Sequence, residues 1–442
     1  MEIIPIILIL LICGALLLGY PVAFTLAGTS ILFALIGIAL DFFDPNLFKT
    51  LPMRIFGIMN NQTLLAVPLF VLMGVVLERA GIASKMLKDM AIVFRNTNSG
   101  LSISIILVGA LLAASTGIVG ATVVTMGLMS LPVMLRQGYG KDFSAGLVAS
   151  TGTLGQIIPP SIALVLLGDV MSNAYQRAQN NMGIFSQETV SVGDLFVGAI
   201  IPGMMIVIGY LAYTIFINRK REFAHTDEIV DEVNIFKTLL PPAILIFVVL
   251  GSIIAGIATP TEAAGVGAFG ALIISALNGS LNLELIKVTS YKAATVTTMI
   301  FSILIGASIF SLIFRGVGGD LLVDQIFEMM PGDKYTALLF ILLAIFLFGF
   351  ILDFIEICYV IIPLVAPPLL MMGFDPVWLG ILMAINLQTS FLTPPFGFSL
   401  FYLRGVADES IKTTDIYKGV VPFILIQLAV LLTVIIFPFF IL

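Results

Sequence analysis

The chain has 442 residues, of which 60% are hydrophobic and 10% charged, and its net charge is −6. With a mean hydropathy of +1.15, it is far more apolar than a soluble domain and reads as a polytopic membrane protein without a separate soluble domain. The acidic balance is spread over short loops, which argues against a nucleic-acid partner. Cys13 and Cys358 lie far apart within apolar runs, which argues against a disulfide or metal framework.

Residues 3–19 and 22–40 read as two spans joined by a tight turn at Tyr20-Pro21, since each approaches the ~20 apolar residues a bilayer requires. The first run lacks a basic leader and a small-residue cleavage site, so it reads as a retained span. Residues 41–61 mix Phe, Leu and Ile with Lys49 and Arg54 and suit an amphipathic helix in the interface. A span at 64–82 follows, then a loop holding Arg79, Lys85, Lys88 and Arg95. Residues 101–135 run 35 positions without a charge. A straight helix of that length would be ~52 Å long against a hydrocarbon core of ~30 Å. The run therefore reads as a re-entrant hairpin turning at Ser115-Thr116-Gly117.

Residues 143–168 should form a span, yet they contain STGTLGQIIPPSIAL from Ser150 to Leu164. A proline removes a backbone donor and clashes with the preceding turn, so this span reads as helix, break, helix. An outer loop at 169–194 leads to a span at 195–217 ending in Arg219-Lys220-Arg221. The second half retraces the plan, with spans at 237–255 and 263–277, the latter capped by Glu262. An interfacial stretch and a span at 293–314 come next, then an over-long run at 337–372. A second interrupted span at 377–403 carries NLQTSFLTPPFGFSL from Asn386 to Leu400, and a last span covers 419–442.

The two Pro-Pro pairs, Pro159-Pro160 and Pro394-Pro395, stand 235 positions apart. The same offset aligns Gly81 with Gly316, Pro132 with Pro367, Leu135 with Leu370 and Gly138 with Gly373, which indicates an internal repeat. With both termini outside, the inner loops hold all the Lys and Arg except Lys49, Arg54, Arg177, Arg315 and Lys334, as the positive-inside rule favours. Each half then has an odd number of spans, so the expected fold is all-α and polytopic, with two inverted repeats of about five transmembrane helices plus a re-entrant hairpin. Residues 1–100 and 237–335 read as scaffold and interfacial arms, and 101–170 and 336–405 as the transport unit. Residues 171–218 form an outer loop and span, 219–236 a basic cytoplasmic loop, and 406–442 the C-terminal span.

Backbone groups freed at a break cannot face lipid, so they should line a protected cavity or an ion site. Ser115 and Thr116 at the first tip, with Thr151, Thr153 and Gln156 and the carbonyls around Gly152, Gly155 and Ile158 at the first break, offer neutral oxygens suited to sodium. The alternative is that the hydroxyls pack helices closely and the prolines only kink them. Asp353 and Glu356 are carboxylates deep in an apolar run, where an ionised group costs at least ~2.5 kcal/mol. Asp353 would neutralise a cation shared with Thr389, Thr393 and the carbonyls near Phe396 and Gly397, the alternative being a structural hydrogen bond. A substrate between the tips would meet Ser115, Thr116, Thr153, Gln156, Gln388, Thr389 and Ser390. No phosphate loop is present, the lone His225 lies in a basic loop, and only Asp353 of the aspartates qualifies as intramembrane. Those absences argue against an ATPase, a Ser-His intramembrane protease and an aspartyl protease.

Several strings carry a family resemblance: LLAVPLFVLMG at 64–74, the AASTG tip, GLVASTGTLGQIIPPSIAL at 146–164, GIATPTEAAGVGAFGAL at 256–272 and LQTSFLTPPFGFSLF at 387–401. On these the chain resembles, end to end, the large membrane subunit (DctM type) of tripartite ATP-independent periplasmic transporters. The resemblance implies a sodium-driven elevator importer of a small organic acid anion in the bacterial inner membrane, with sodium as coupling ion and no organic cofactor. It implies a separate small four-helix membrane subunit and a periplasmic binding protein as partners. Carried over by motif, one sodium site falls on Ser115, Thr116, Gly155, Ile158 and Pro160, and a second on Asp353 and the break from Thr389 to Gly397. The loop at 169–194 is longer than in many relatives and is expected to meet the docked binding protein. Rival readings are a passive channel, a scaffolding subunit, and a sodium/carboxylate symporter or exporter of the same architecture that needs no binding protein.

Overall fold

The structure, a computed structural model, describes residues 3–94, 97–220, 235–330 and 332–441. Residues 221–234 of the basic loop expected at 219–236, and Arg95, lie outside the described residues. The described residues form helices and turns without β-strands. The first half runs α1 (Ile3–Leu16), α2 (Val22–Ala39), α3 (Leu51–Met59), α4 (Ala66–Arg79), α5 (Ile82–Val93), α6 (Gly100–Thr116), α7 (Val119–Arg136), α8 (Lys141–Thr153), α9 (Ile162–Asn181) and α10 (Val192–Asn218). The second runs α11 (Ile235–Ile254), α12 (Pro260–Leu277), α13 (Leu283–Gly316), α14 (Gly319–Met329), α15 (Lys334–Phe348), α16 (Phe354–Glu356), α17 (Ile362–Met371), α18 (Pro376–Leu392), α19 (Phe398–Arg404) and α20 (Thr413–Ile436). Seven described helices are long and apolar enough to cross a bilayer by themselves. The shorter apolar ones include the arms of hairpins and of broken spans.

Both over-long runs turn back on themselves. Helix α6 ends where Gly117 takes φ +58°, a left-handed conformation that costs glycine little. A side chain there would also crowd the amide of Ile162 at 2.8 Å, so the first hairpin tip rests on the start of α9. Both proline pairs interrupt their spans, and both Pro-Pro bonds are cis. Thr259 and Glu262 form a reciprocal cap at the start of α12, as expected of Glu262.

Four sequence expectations need correction. The stretch after Arg79 is a helix, α5, with Ile82, Ala83, Met86, Leu87 and Met90 buried and Lys85 and Lys88 exposed, so its charges mark an outer face. The outer loop is helical as far as Asn181, because Val170, Met171, Ala174 and Ala178 bury one stripe of α9 and Arg177 pairs with Asp320 of α14 at 2.7 Å. The interfacial stretch and span expected over 283–314 are one 34-residue helix, α13. Its first-half counterpart bends by 51° between Pro45–Met59 and Thr63–Arg79, where the Asn61 side chain accepts from the Thr63 amide at 2.9 Å. Finally, Gly81 pairs structurally with Gly318 rather than Gly316, since these two take left-handed φ values before α5 and α14. Gly138 and Gly373 keep the 235 offset, at φ +84° and +82°.

The halves interlock reciprocally. Helix α2 packs on α13 while α12 packs on α4, α8 packs on α20 while α18 packs on α10, and α9 packs on α17 while α19 packs on α7. Each exchange couples an element of one half to the partner of its own counterpart, the pattern a two-fold relation between halves produces. The α8–α20 crossing is close: a Cβ on Gly146 would overlap the Gly419 carbonyl, and one on Gly419 would overlap the Asp142 carbonyl. Small residues let backbones meet where no hydrophobic force separates helix from lipid. A satellite core of Leu8, Ile12, Leu26, Phe33, Phe310, Ile313 and Phe314 joins α1, α2 and the far end of α13.

Candidate functional site

At the first break the chain leaves α8 through a short turn, and the Ile158 amide bonds the Leu154 carbonyl at 2.9 Å. The Ser161 hydroxyl donates to the freed Gly155 carbonyl at 2.6 Å while accepting from the Leu164 amide at the start of α9. The second break repeats the device: Ser399 donates to the Phe391 carbonyl at 2.8 Å, and Thr393 to the Thr389 carbonyl at 2.7 Å. At each break, hydroxyls flanking the prolines thus take up carbonyls that the interrupted helix leaves free.

The hairpins are fastened to these breaks. A Cβ on Gly155 would stand 3.2 Å from the Ala113 carbonyl near the end of α6. On the other side Asn386 donates to Leu342 and Ser390 to Phe346, both at 2.8 Å, zipping α18 onto α15 one turn at a time. Phe350 at the second tip faces Phe396 of the second break at 6.2 Å between ring centroids.

Between them lies a cavity of about 120 Å³. It is bounded by Gly117–Gly120 at the first tip, Gln156 at the first break, Ile162 and Leu166 of α9, and Asp353–Ile355 at the second tip. Phe391, Tyr402 and a wall of α13 residues (Val296, Met299 and Ile300) complete it. Gln156 is 2% exposed and its Oε1 has no partner. Asp353 accepts from the Phe354 amide at 2.6 Å, and its own amide donates to Glu356 at 3.0 Å. The expected structural role of Asp353 is therefore real, and its carboxylate borders the cavity as well.

Other expected residues are placed differently. Ser115 donates to the Leu112 carbonyl and Thr389 to the Ile385 carbonyl, both at 2.8 Å within their own helices. Gly152 packs against Val123, and Gly397 against the Phe391 carbonyl. Ile158 is half-buried, Pro160 buried and Phe396 exposed, all outside the cavity lining. The side chain of Thr116 lies outside the described residues. Thr153 and Gln388 meet each other instead: Gln388 Nε2 donates to Thr153 Oγ1 at 3.4 Å. They stand 235 positions apart, the offset of the proline pairs, so each is the other's counterpart and their contact lies where the two halves exchange.

Two members of this buried cluster escaped sequence reasoning. Gln427 of α20 donates to Thr153 Oγ1 at 3.4 Å and to Tyr210 of α10 at 2.7 Å. The available signal was a lone amide inside the apolar run FILIQLAVLL. Thr153→Val is expected to destabilise the protein by about 1–3 kcal/mol, because the buried Gln388 amide loses its Thr153 acceptor and the Gln427 amide one of its two, and Thr153→Ser should restore it. Melting curves in detergent test this; a Val variant as stable as the wild type would remove the hydrogen-bonding role. A third missed residue is Asp169 of α9, which accepts from Asn61 at the α3–α4 bend at 2.8 Å and from Tyr359 at 3.3 Å.

As for a cation, Thr151 beside the first break has a buried hydroxyl oxygen without a partner. No cluster of three or more His, Cys, Asp and Glu occurs among the described residues. Neutral oxygens with a single carboxylate fit a hard monovalent ion better than a transition metal.

Two hairpins meeting two broken helices around one cavity, in an all-helical apolar chain, define a multi-pass membrane protein of the transporter class rather than an enzyme. The family model "Tripartite ATP-independent periplasmic transporter, DctM component" matches residues 8–440, and the chain belongs to that family. It is 29% identical to the C4-dicarboxylate large permease DctM of Rhodobacter capsulatus, over 96% of this chain and 94% of that protein. It is 28% identical to the sialic acid large permease SiaM of Vibrio cholerae, over 97% and 95%. Against the isethionate permease DctMQ of Oleidesulfovibrio alaskensis the identity is 31%, over 85% of this chain and 57% of that protein. Among solved structures, the Alcanivorax borkumensis YdaH transporter shares the fold with a TM-score of 0.63, at 14% identity over 90% and 89% of the chains.

Proposed function

We propose that the chain imports a small organic acid anion with sodium across the bacterial inner membrane, receiving the acid from a periplasmic binding protein. The observation that carries the reading is a cavity touched by both hairpin tips and by the last turns before both breaks. A binding site on the seam between two related halves is the arrangement that alternating access requires. The names of the relatives, which carry C4-dicarboxylates, sialic acid and isethionate, support acids as cargo.

In this reading the halves are inverted, both termini are periplasmic, and a separate small four-helix subunit joins the scaffold. Hairpins α6–α7 and α15–α17 move with α8, α9, α18 and α19 as an elevator against α13. Sodium would sit among the oxygens of the first break and beside Asp353, lowering the cost of bringing an anion to that carboxylate. Uptake by proteoliposomes holding the chain and its small subunit, with binding protein and labelled acid outside, is expected to need an inward sodium gradient. Equilibration of acid at equal rates with potassium alone would favour a passive channel, and uptake without the binding protein would favour a two-part symporter.

A further inference from the structure

We infer that the cargo is a monocarboxylate with an apolar body, branched-aliphatic or aromatic, rather than a dicarboxylate; this rests on the transport reading and narrows it. The first ground is charge. Residues 101–135, 143–168, 335–373 and 376–403 contain no Lys or Arg; the hairpins and broken spans carry them only at their far ends, as Arg136, Lys141, Arg177, Lys334 and Arg404. The cavity lining has a single ionisable carboxyl, Asp353, and no cationic side chain. The nearby lysine of α13, Lys292, is engaged one turn beyond Val296 with Glu78 at 3.2 Å. A second substrate carboxylate would find no arginine fork or ammonium to hold it and would be repelled by Asp353.

The second ground is where one carboxylate can be held. Helix α7 starts in the lining, and its N-cap residue, Ile118, makes no side-chain cap. The amides of its first turn have no intrahelical acceptor, and the helix dipole favours negative charge there. Gln156, buried and with an unpartnered amide oxygen, lines the same cavity. Its amide can present oxygen to a cation or to a donor on the cargo, and by rotating can present NH₂ to a carboxylate.

The third ground is the remaining surface. Val296, Met299 and Ile300 of α13 line the same cavity with Phe391 and the Tyr402 ring, which lies 3.0 Å from where a Cβ on Gly120 would stand. Polar groups pressed on such a wall lose water without gaining partners, whereas an alkyl or aryl group gains by leaving water. The scaffold helix α13 thus reads the body of the acid, and the hairpin tip reads its carboxylate.

The test is sodium-dependent stabilisation of the purified full-length chain in detergent, titrated with 4-methyl-2-oxopentanoate, benzoate and succinate, in sodium chloride and in potassium chloride. The expected result is that both apolar monocarboxylates raise the melting temperature in sodium at concentrations at least about tenfold below succinate. Met299→Arg, at a half-exposed wall position, should erase that preference by supplying the missing cation. If succinate acts at equal or lower concentration than both, the monocarboxylate assignment falls while the transport reading stands. If none of the three acts in a sodium-dependent way, the cavity is not a carboxylate site and both fall. A Met299→Arg variant that folds and keeps the wild-type ratio would count against α13 as the selecting wall.

Discussion

Asp353→Asn is expected to lower sodium-driven uptake about a hundredfold, equivalent to about 2.7 kcal/mol, while leaving the fold intact. The reasoning separates two roles of one side chain. Asp353 Oδ1 accepts from the Phe354 amide at 2.6 Å, and an asparagine oxygen can make the same cap. What asparagine cannot supply is the negative charge at the cavity, where Asp353 is the only carboxylate in the lining. Asp353→Ala removes both and should lose about 1 kcal/mol of stability besides, the usual cost of an N-cap. Uptake across a series of sodium concentrations, with melting curves in parallel, checks the pair. Wild-type sodium dependence in Asp353→Asn would reduce the carboxylate to a helix cap.

The second large effect concerns stability. Gly146→Val should destabilise the protein by about 3 kcal/mol, the upper end of overpacking costs, since its Cβ would overlap the backbone carbonyl of Gly419 and no side-chain rotation relieves that. The consequence travels: Thr153 lies two turns along α8 from Gly146, and Gln427 two turns along α20 from Gly419. Forcing the helices apart would loosen the Thr153–Gln427 contact as well. Gly28→Ala, at a helical position with nothing within 4 Å, is the control and should melt with the wild type or slightly above it. Equal melting of Gly146→Val and wild type would show that this crossing is looser than described.

The parts of the fold legible in the sequence were those ruled by local or metric constraints. Pro159-Pro160 and Pro394-Pro395 had to break their helices, and 35 uncharged residues had to fold back because no bilayer is that thick. The bend that separates the two halves was not legible for α13. The sequence reading divides an interfacial stretch from a span at residue 293, yet Thr289 and Thr295 on either side of that boundary both bond carbonyls of one helix, at 2.8 Å to Leu285 and 2.9 Å to Tyr291. Lys292 meanwhile finds Glu78 on α4. A hydroxyl that can satisfy itself within a helix says little about depth.

The same ambiguity affects the candidate site. The hydroxyls of Ser115 and Thr389 bond within their own helices, whereas Gln156 and Asp353 reach the cavity because each sits at a helix terminus. Thr153 and Gln388 share the repeat offset, but only the three-dimensional exchange of the halves brings them into contact. Tyr402 and the α13 wall carry no polar motif, so nothing local marked them as lining a site.

At 1.5 Å per residue, the 34 residues of α13 make a rod of about 51 Å. Standing across ~30 Å of hydrocarbon, it would need a tilt beyond the ~40° upper end seen for membrane helices to fit wholly inside. One end must therefore protrude, and Leu283 and Tyr291 near its start are largely exposed. Because the helix is uninterrupted from there to Val296, Met299 and Ile300, a displacement of the protruding end would carry the cavity wall with it. Its kinked counterpart in the first half would absorb the same displacement at Asn61.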